Sequence, residues 1–163
     1  MTVQEFQAER IESMARLVAH FLENTQEDRR EWVPQVEGAA GLRCALDQVS
    51  ECIHVNRMFA GILRGQEPPA VGPLTAPRPF ENPCDAAPLL IESAVDLAAA
   101  VRDLRDEDLH HAFMTRRGPM PGHMVIEIPY RNMAYHGGQI NMLQLLYGDT
   151  EFRYPSSPSP KQE

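Results

Sequence analysis

A chain of 163 residues with 43% hydrophobic and 23% charged residues has the size and composition of one globular domain, which excludes a fibrous or disordered class. Its 23 acids against 15 bases leave a formal charge of -8, which repels phosphate backbones, and the pairs Arg29-Arg30 and Arg116-Arg117 are isolated and lack interleaved aromatics, so nucleic-acid binding is disfavoured. No apolar run approaches the ~18 residues of a membrane span, and the acidic stretch from Met1 to Glu12 is unlike a signal sequence, so the expectation is a cytoplasmic protein with no membrane partner.

Three cysteines is an odd count, and Cys44 and Cys52 fall eight residues apart on one expected helix. That is about 12 Å along the axis, too far to bridge. Reduced thiols, read as small buried apolar residues, fit a cytosolic compartment.

In chain order, the first expected helix spans Val3 to Glu23, with Val3, Phe6, Met14, Leu17 and Phe21 as its apolar stripe. Gln26 to Glu37 is polar, contains Pro34 and reads as a connection whose Trp32 covers one end of the core. A second helix is expected from about Ala39 to Arg64, with Leu42, Leu46, Val49, Ile53 and Ala60 on one stripe and Gly65 as its stop. Gln66 to Cys84 holds six prolines, which fix φ and remove donors, so it reads as a long crossover loop.

Asp85 is the expected N-cap of a third helix, with Leu90, Ala94, Leu97, Val101 and Leu104 stepping by four and three. His110-His111, after Asp106-Glu107-Asp108, is expected to meet the dipole at the end of that helix. Met114 to Gly122 reads as loop from its Arg-Arg-Gly-Pro-Met-Pro-Gly composition. The last helix is expected to start near Pro121, to kink at Pro129 and to run to Tyr147, with Gly148 as its stop. The fold class is therefore all-α, a four-helix bundle over residues 1–154 without strands, followed by a Pro- and Ser-rich disordered tail over residues 155–163.

One face of the last helix carries Asn132, His136 and Gln139, at spacings of four and three, and His54 lies on the shoulder of the second helix's stripe. Bundles build metal sites from such facing side chains. The spacing alone describes two partly buried, hydrogen-bonded histidines equally well.

The segment Arg131-Asn132-Met133-Ala134-Tyr135-His136-Gly137-Gly138-Gln139-Ile140-Asn141, closing in Leu145-Leu146-Tyr147-Gly148-Asp149, resembles the last-helix motif of the DinB-like family of damage-inducible, metal-dependent proteins. Trp32-Val33-Pro34, Cys52-Ile53-His54-Val55-Asn56-Arg57 and Leu63-Arg64-Gly65 resemble that family's entry into its second helix and its first ligand histidine. The resemblance covers about residues 1 to 150. It implies a four-helix bundle, often a homodimer, holding a divalent metal, zinc or nickel, through one histidine of the second helix and an H-x-x-x-H pair of the fourth.

Carried over residue by residue, the ligands are His54 and His136, with Asn132 where the family has its other histidine. An amide oxygen is a poorer partner for zinc or nickel than an imidazole. The resemblance implies a metal-dependent thiol transferase or hydrolase acting on a small thiol and an electrophile. The alternative is a non-catalytic, dimeric, stress-related small-molecule binding bundle with a degenerate metal site.

Overall fold

Four long helices carry the core in the computed structural model of the protein, which describes residues 1–38, 40–151 and 154. They are α1 (Val3–Glu23), α2 (Ala45–Leu63), α3 (Ala86–Arg102) and, after a hairpin β1 (Ala112–Thr115) and β2 (Gly118–Pro121) and one turn α4 (Gly122–Val125), the last helix α5 (Ile128–Leu146). α1 and α2 each pack against both α3 and α5 but scarcely touch each other, so they occupy opposite corners of a four-helix bundle.

The seven expected core residues Leu46, Val49, Ile53, Leu97, Val101, Ile140 and Leu143 are all buried. Burial of such a side chain contributes about 1.5 to 3 kcal/mol relative to exposure. In α1 the expected stripe is displaced. Val3 and Phe6 are half exposed, and the face that packs is Ala8, Ile11, Ala15, Val18 and Leu22. Alanines let the neighbouring helices approach closely. Phe6 instead sits under the guanidinium of Arg10, which also stacks 3.8 Å above the ring of Tyr130.

α2 begins later than the periodicity suggests. Cys44 is its N-cap, with its backbone N–H donating to the Asp47 carboxylate at 3.4 Å, while Leu42 lies in the preceding loop, 42% exposed. Gly65 closes α2 at φ +80°, where Gln66 N–H returns to Gly61 O at 2.9 Å, the bond pattern of a glycine-terminated helix. Residues 66–82 then cross the bundle with neither helix nor strand. Asp85 precedes α3, but its side chain makes no cap bond; Asn82 Oδ1 accepts from Cys84 N–H at 3.0 Å and caps the 3-10 turn Pro83–Asp85. Cys84 is exposed, unlike Cys44 and Cys52.

Two expectations are corrected between α3 and α5. α3 stops at Arg102, which pairs with Glu5 and Glu12 of α1, and a separate 3-10 turn, Asp106–Leu109, precedes His110 and His111. The segment read as loop is an antiparallel hairpin with Phe113 opposite Met120 and Met114 opposite Pro119. Glycine and proline composition hid the strands, but a two-stranded ribbon has free outer edges on which proline is tolerated. Arg116 and Arg117 form its tip, with Gly118 at φ +96°.

Pro129 does not kink one continuous helix. It occupies the first turn of α5, where its missing N–H costs nothing, and α4 is a separate turn capped by Pro121. The break exposes a carbonyl at Ile126, which accepts from buried Gln7 Nε2 at 3.0 Å. Gln144 serves the end of α1 in the same way, donating to Phe21 O and Thr25 Oγ1, both at 3.0 Å. These glutamines are buried because each satisfies a helix end. The tail expected to be disordered, residues 155–163, lies outside the described residues. Among the described residues no helix is long and apolar enough to cross a membrane.

Candidate metal centre

α2 and α5 face each other with polar residues at successive turns. Gln48 and Glu51 are one turn apart on α2, and Asn132, His136 and Gln139 are one turn apart on α5. The His136 ring is 1% exposed and lies edge-on to Tyr135, with ring centroids 5.4 Å apart.

The two ring nitrogens of His136 meet opposite surroundings. Nδ1 is 2.5 Å from Gln48 Oε1 and 2.8 Å from Gln139 Oε1. Amide oxygens only accept, so Nδ1 carries the proton and donates. Gln48 Oε1 is held in turn by the guanidinium of Arg43 at 3.3 Å. Nε2 faces Glu51 Oε1 at 3.3 Å, close enough for an ion pair but without the alignment of a hydrogen bond, and is a buried polar atom with no hydrogen-bond partner among the described residues. Asn132 Nδ2 donates to the same carboxylate oxygen at 3.4 Å, and Asn132 Oδ1 is also buried without a partner among the described residues.

The second oxygen of Glu51 forms an ion pair with Arg43. The proximity of His136, then Arg43, outweighs burial and holds the Glu51 carboxyl down at about 2, so it is ionised throughout the physiological range. An anionic oxygen, an imidazole nitrogen and the side-chain amide of Asn132 thus come together from two helices.

Of the three residues expected as ligands, Asn132 and His136 come together, and His54 makes its contact elsewhere. His54 Nε2 is 2.8 Å from Pro77 O, tying α2 to the crossover loop, and the ring lines a separate cavity of about 380 Å³ with Arg57 and Gln66. The α2 residue at His136 is Glu51, three residues earlier. Sequence reasoning missed it, although it is the only charged residue of α2 between Asp47 and Arg57, on a mostly buried helix. The two buried thiols are not poised as nucleophiles. Burial pushes the Cys52 thiol up, and burial beside Asp47 does the same to Cys44 despite Arg78 at 3.2 Å.

The donors fit a divalent cation on three counts. Nε2 is an orphaned atom beside an ionised carboxylate, Asn132 Oδ1 is an orphaned oxygen on the amide whose nitrogen reaches that carboxylate, and the proton on Nδ1 is fixed by acceptors behind the ring, as metal-bound histidines require. Among the described residues no three His, Cys, Asp or Glu side chains are grouped as ligands, so the amide of Asn132 is needed as the third.

Beside Glu51 and Asn132 opens a cavity of about 860 Å³ between α2, the crossover loop, the hairpin and α5. Val55, Met58, Phe59, Leu74, Met120 and Ile128 give it apolar walls, and Arg116, Arg117 and Arg131 also line it.

No family profile and no curated protein matches this sequence. Among solved structures the fold is similar to the mycothiol-dependent maleylpyruvate isomerase, at 14% identity and TM-score 0.61, and to a histidine-to-alanine mutant of that enzyme, at 13% identity and TM-score 0.64. Each alignment covers 85% of this chain and 61% of the other, so this chain spans about three fifths of the length of the enzymes it resembles. The likeness defines the class of fold: a helical bundle of the kind used by a thiol-dependent isomerase.

Proposed function

We propose that this chain is a DinB-like protein that holds a divalent metal ion, zinc or nickel, on Glu51, Asn132 and His136 and supports chemistry between a small thiol and an electrophile in the adjoining cavity. The observation that carries the reading is the buried, unpartnered Nε2 of His136 facing an ionised carboxylate. With its proton on Nδ1 the ring turns an unprotonated Nε2 toward that carboxylate, and a bound cation would take the place there of the second ring proton that otherwise pairs the two. The thiol-dependent activity named for the structural neighbour supports the choice of reaction.

When bound, the ion would acidify a thiol or water toward neutral pH. The chain's own residues do the rest. Gln48 and Gln139 orient the His136 ring, Arg43 fixes the Glu51 carboxylate, and the apolar walls of the adjoining cavity offer an organic substrate a surface beside them. The competing reading is a metal-free binding module. It is favoured by the contacts that Arg43 and Asn132 already give Glu51, which satisfy the carboxylate without an ion.

Calorimetric titration of zinc and nickel into tag-free protein decides between them. The parent should bind one ion, Asn132→His should tighten binding by more than about tenfold by replacing an amide with an imidazole, and His136→Ala should abolish it. Equal affinity in parent and Asn132→His would place the binding module first. We also propose that two copies associate through α5, where Tyr135, Met142 and Leu146 form an outward stripe, each more than half exposed. A monomeric mass in light scattering at micromolar concentration would exclude this.

A further inference from the structure

The mouth of the larger cavity runs against the charge of the molecule. In a chain of net charge -8, three arginines, Arg116 and Arg117 at the hairpin tip and Arg131 on α5, line one cavity. Its two nearby carboxylates are already paired, Glu51 with Arg43 and Glu127 with Arg131 at 3.8 Å.

The three arginines do different things. Arg116 is structural: its Nη1 donates to Pro69 O at 2.6 Å and Ala70 O at 2.8 Å, pinning the crossover loop to the hairpin and so holding two walls together. Arg131 is held only loosely by an exposed partner. Arg117 is exposed, and among the described residues its guanidinium has no acidic partner and donates to no carbonyl. Its backbone is nevertheless fixed, because its N–H donates to Thr115 Oγ1 at 3.1 Å, and that hydroxyl donates to Gly118 O at 2.7 Å. A fork of donors is thus presented from a rigid turn at the rim of an apolar chamber.

We propose that this cavity binds a small organic anion with an apolar body, its carboxylate on Arg117 and Arg131 and its body against Met58, Phe59 and Met120. Guanidinium groups match a carboxylate with paired donors, and a neighbouring apolar wall makes those bonds stronger than in open water. A cavity of about 860 Å³ falls in the range of small-molecule sites and exceeds what a short diacid would fill. The inference names the substrate class for the function proposed above, and it rests on that reading for the identity of the reactive end, which would lie toward Glu51 and Asn132.

The probes are octanoate and its neutral counterpart 1-octanol, titrated by calorimetry into the full chain with a chelator present, so that no metal contributes. Octanoate should bind at least tenfold more tightly than octanol. Arg117→Gln/Arg131→Gln should weaken octanoate at least tenfold and leave octanol unchanged. Both positions are exposed, and an unchanged melting temperature confirms that the variant is folded. Equal binding of acid and alcohol, no binding of either, or an octanoate affinity indifferent to the double substitution would each overturn the proposal. Should octanoate bind only after zinc is added and ignore the arginines, its carboxylate sits on the ion; the anion site is then refuted while the metal site stands.

Discussion

Glu51→Gln tests the electrostatic account of the candidate centre independently of any ligand. The parent carboxyl is held at about 2 against an ordinary 4.5, by His136 first and by Arg43 as well. Each pH unit of depression is worth about 1.4 kcal/mol, so the ionised form contributes on the order of 3 kcal/mol to folding at pH 7. The side chain is 16% exposed, so screening removes only part of this. The sign follows from the depressed value: the contribution is complete above about 4.5 and is lost as pH falls toward about 2. At pH 3.5 about 2 kcal/mol should remain.

Glutamine keeps the shape but does not titrate, and every other acid titrates equally in both proteins. Urea unfolding of parent and variant, followed by circular dichroism with a chelator present, should therefore give a stability difference that shrinks by over about 1 kcal/mol between pH 7 and pH 3.5. A difference of the same size at both pH values would refute the ionised, paired Glu51 on which the site is built.

Gly122→Ala should destabilise by about 2 kcal/mol or more in the same assay, because the new Cβ would fall 2.3 Å from the carbonyl oxygen of Asp108, a backbone atom that cannot swing aside. Gly138→Ala, in the middle of α5 with nothing within 4 Å of the added carbon, should instead stabilise by about 0.5 to 1 kcal/mol. Gln144→Leu should cost about 1 to 3 kcal/mol, since Thr25 Oγ1 loses its donor and Phe21 O keeps only the Thr25 hydroxyl at 2.9 Å; a neutral result in denaturant titration would show that water replaces the amide. Pro77 offers a carbonyl to His54, so His54→Ala should loosen the crossover loop, seen as faster amide exchange over residues 66–82, and should leave zinc affinity at His136 unchanged.

The bundle was legible because helix periodicity is local. Steps of three and four in Leu46, Val49, Ile53 and in Leu97, Val101 require a buried stripe whatever the partner, and a glycine after Leu63-Arg64 ends a helix by backbone geometry alone. The polar face of α5 with Asn132 and His136 was legible for the same reason. The hairpin was not, since proline and glycine report what a residue cannot donate and say nothing of which edge faces outward. Nor was the partner of His136. Glu51 and His54 are three residues apart on one helix, and only the angle at which α2 meets α5 selects Glu51 for the buried centre and sends His54 to the crossover loop. Rotation about a helix axis is fixed by packing on every side at once, and so the chemistry of this site belongs to the tertiary structure, while the elements that carry it belong to the sequence.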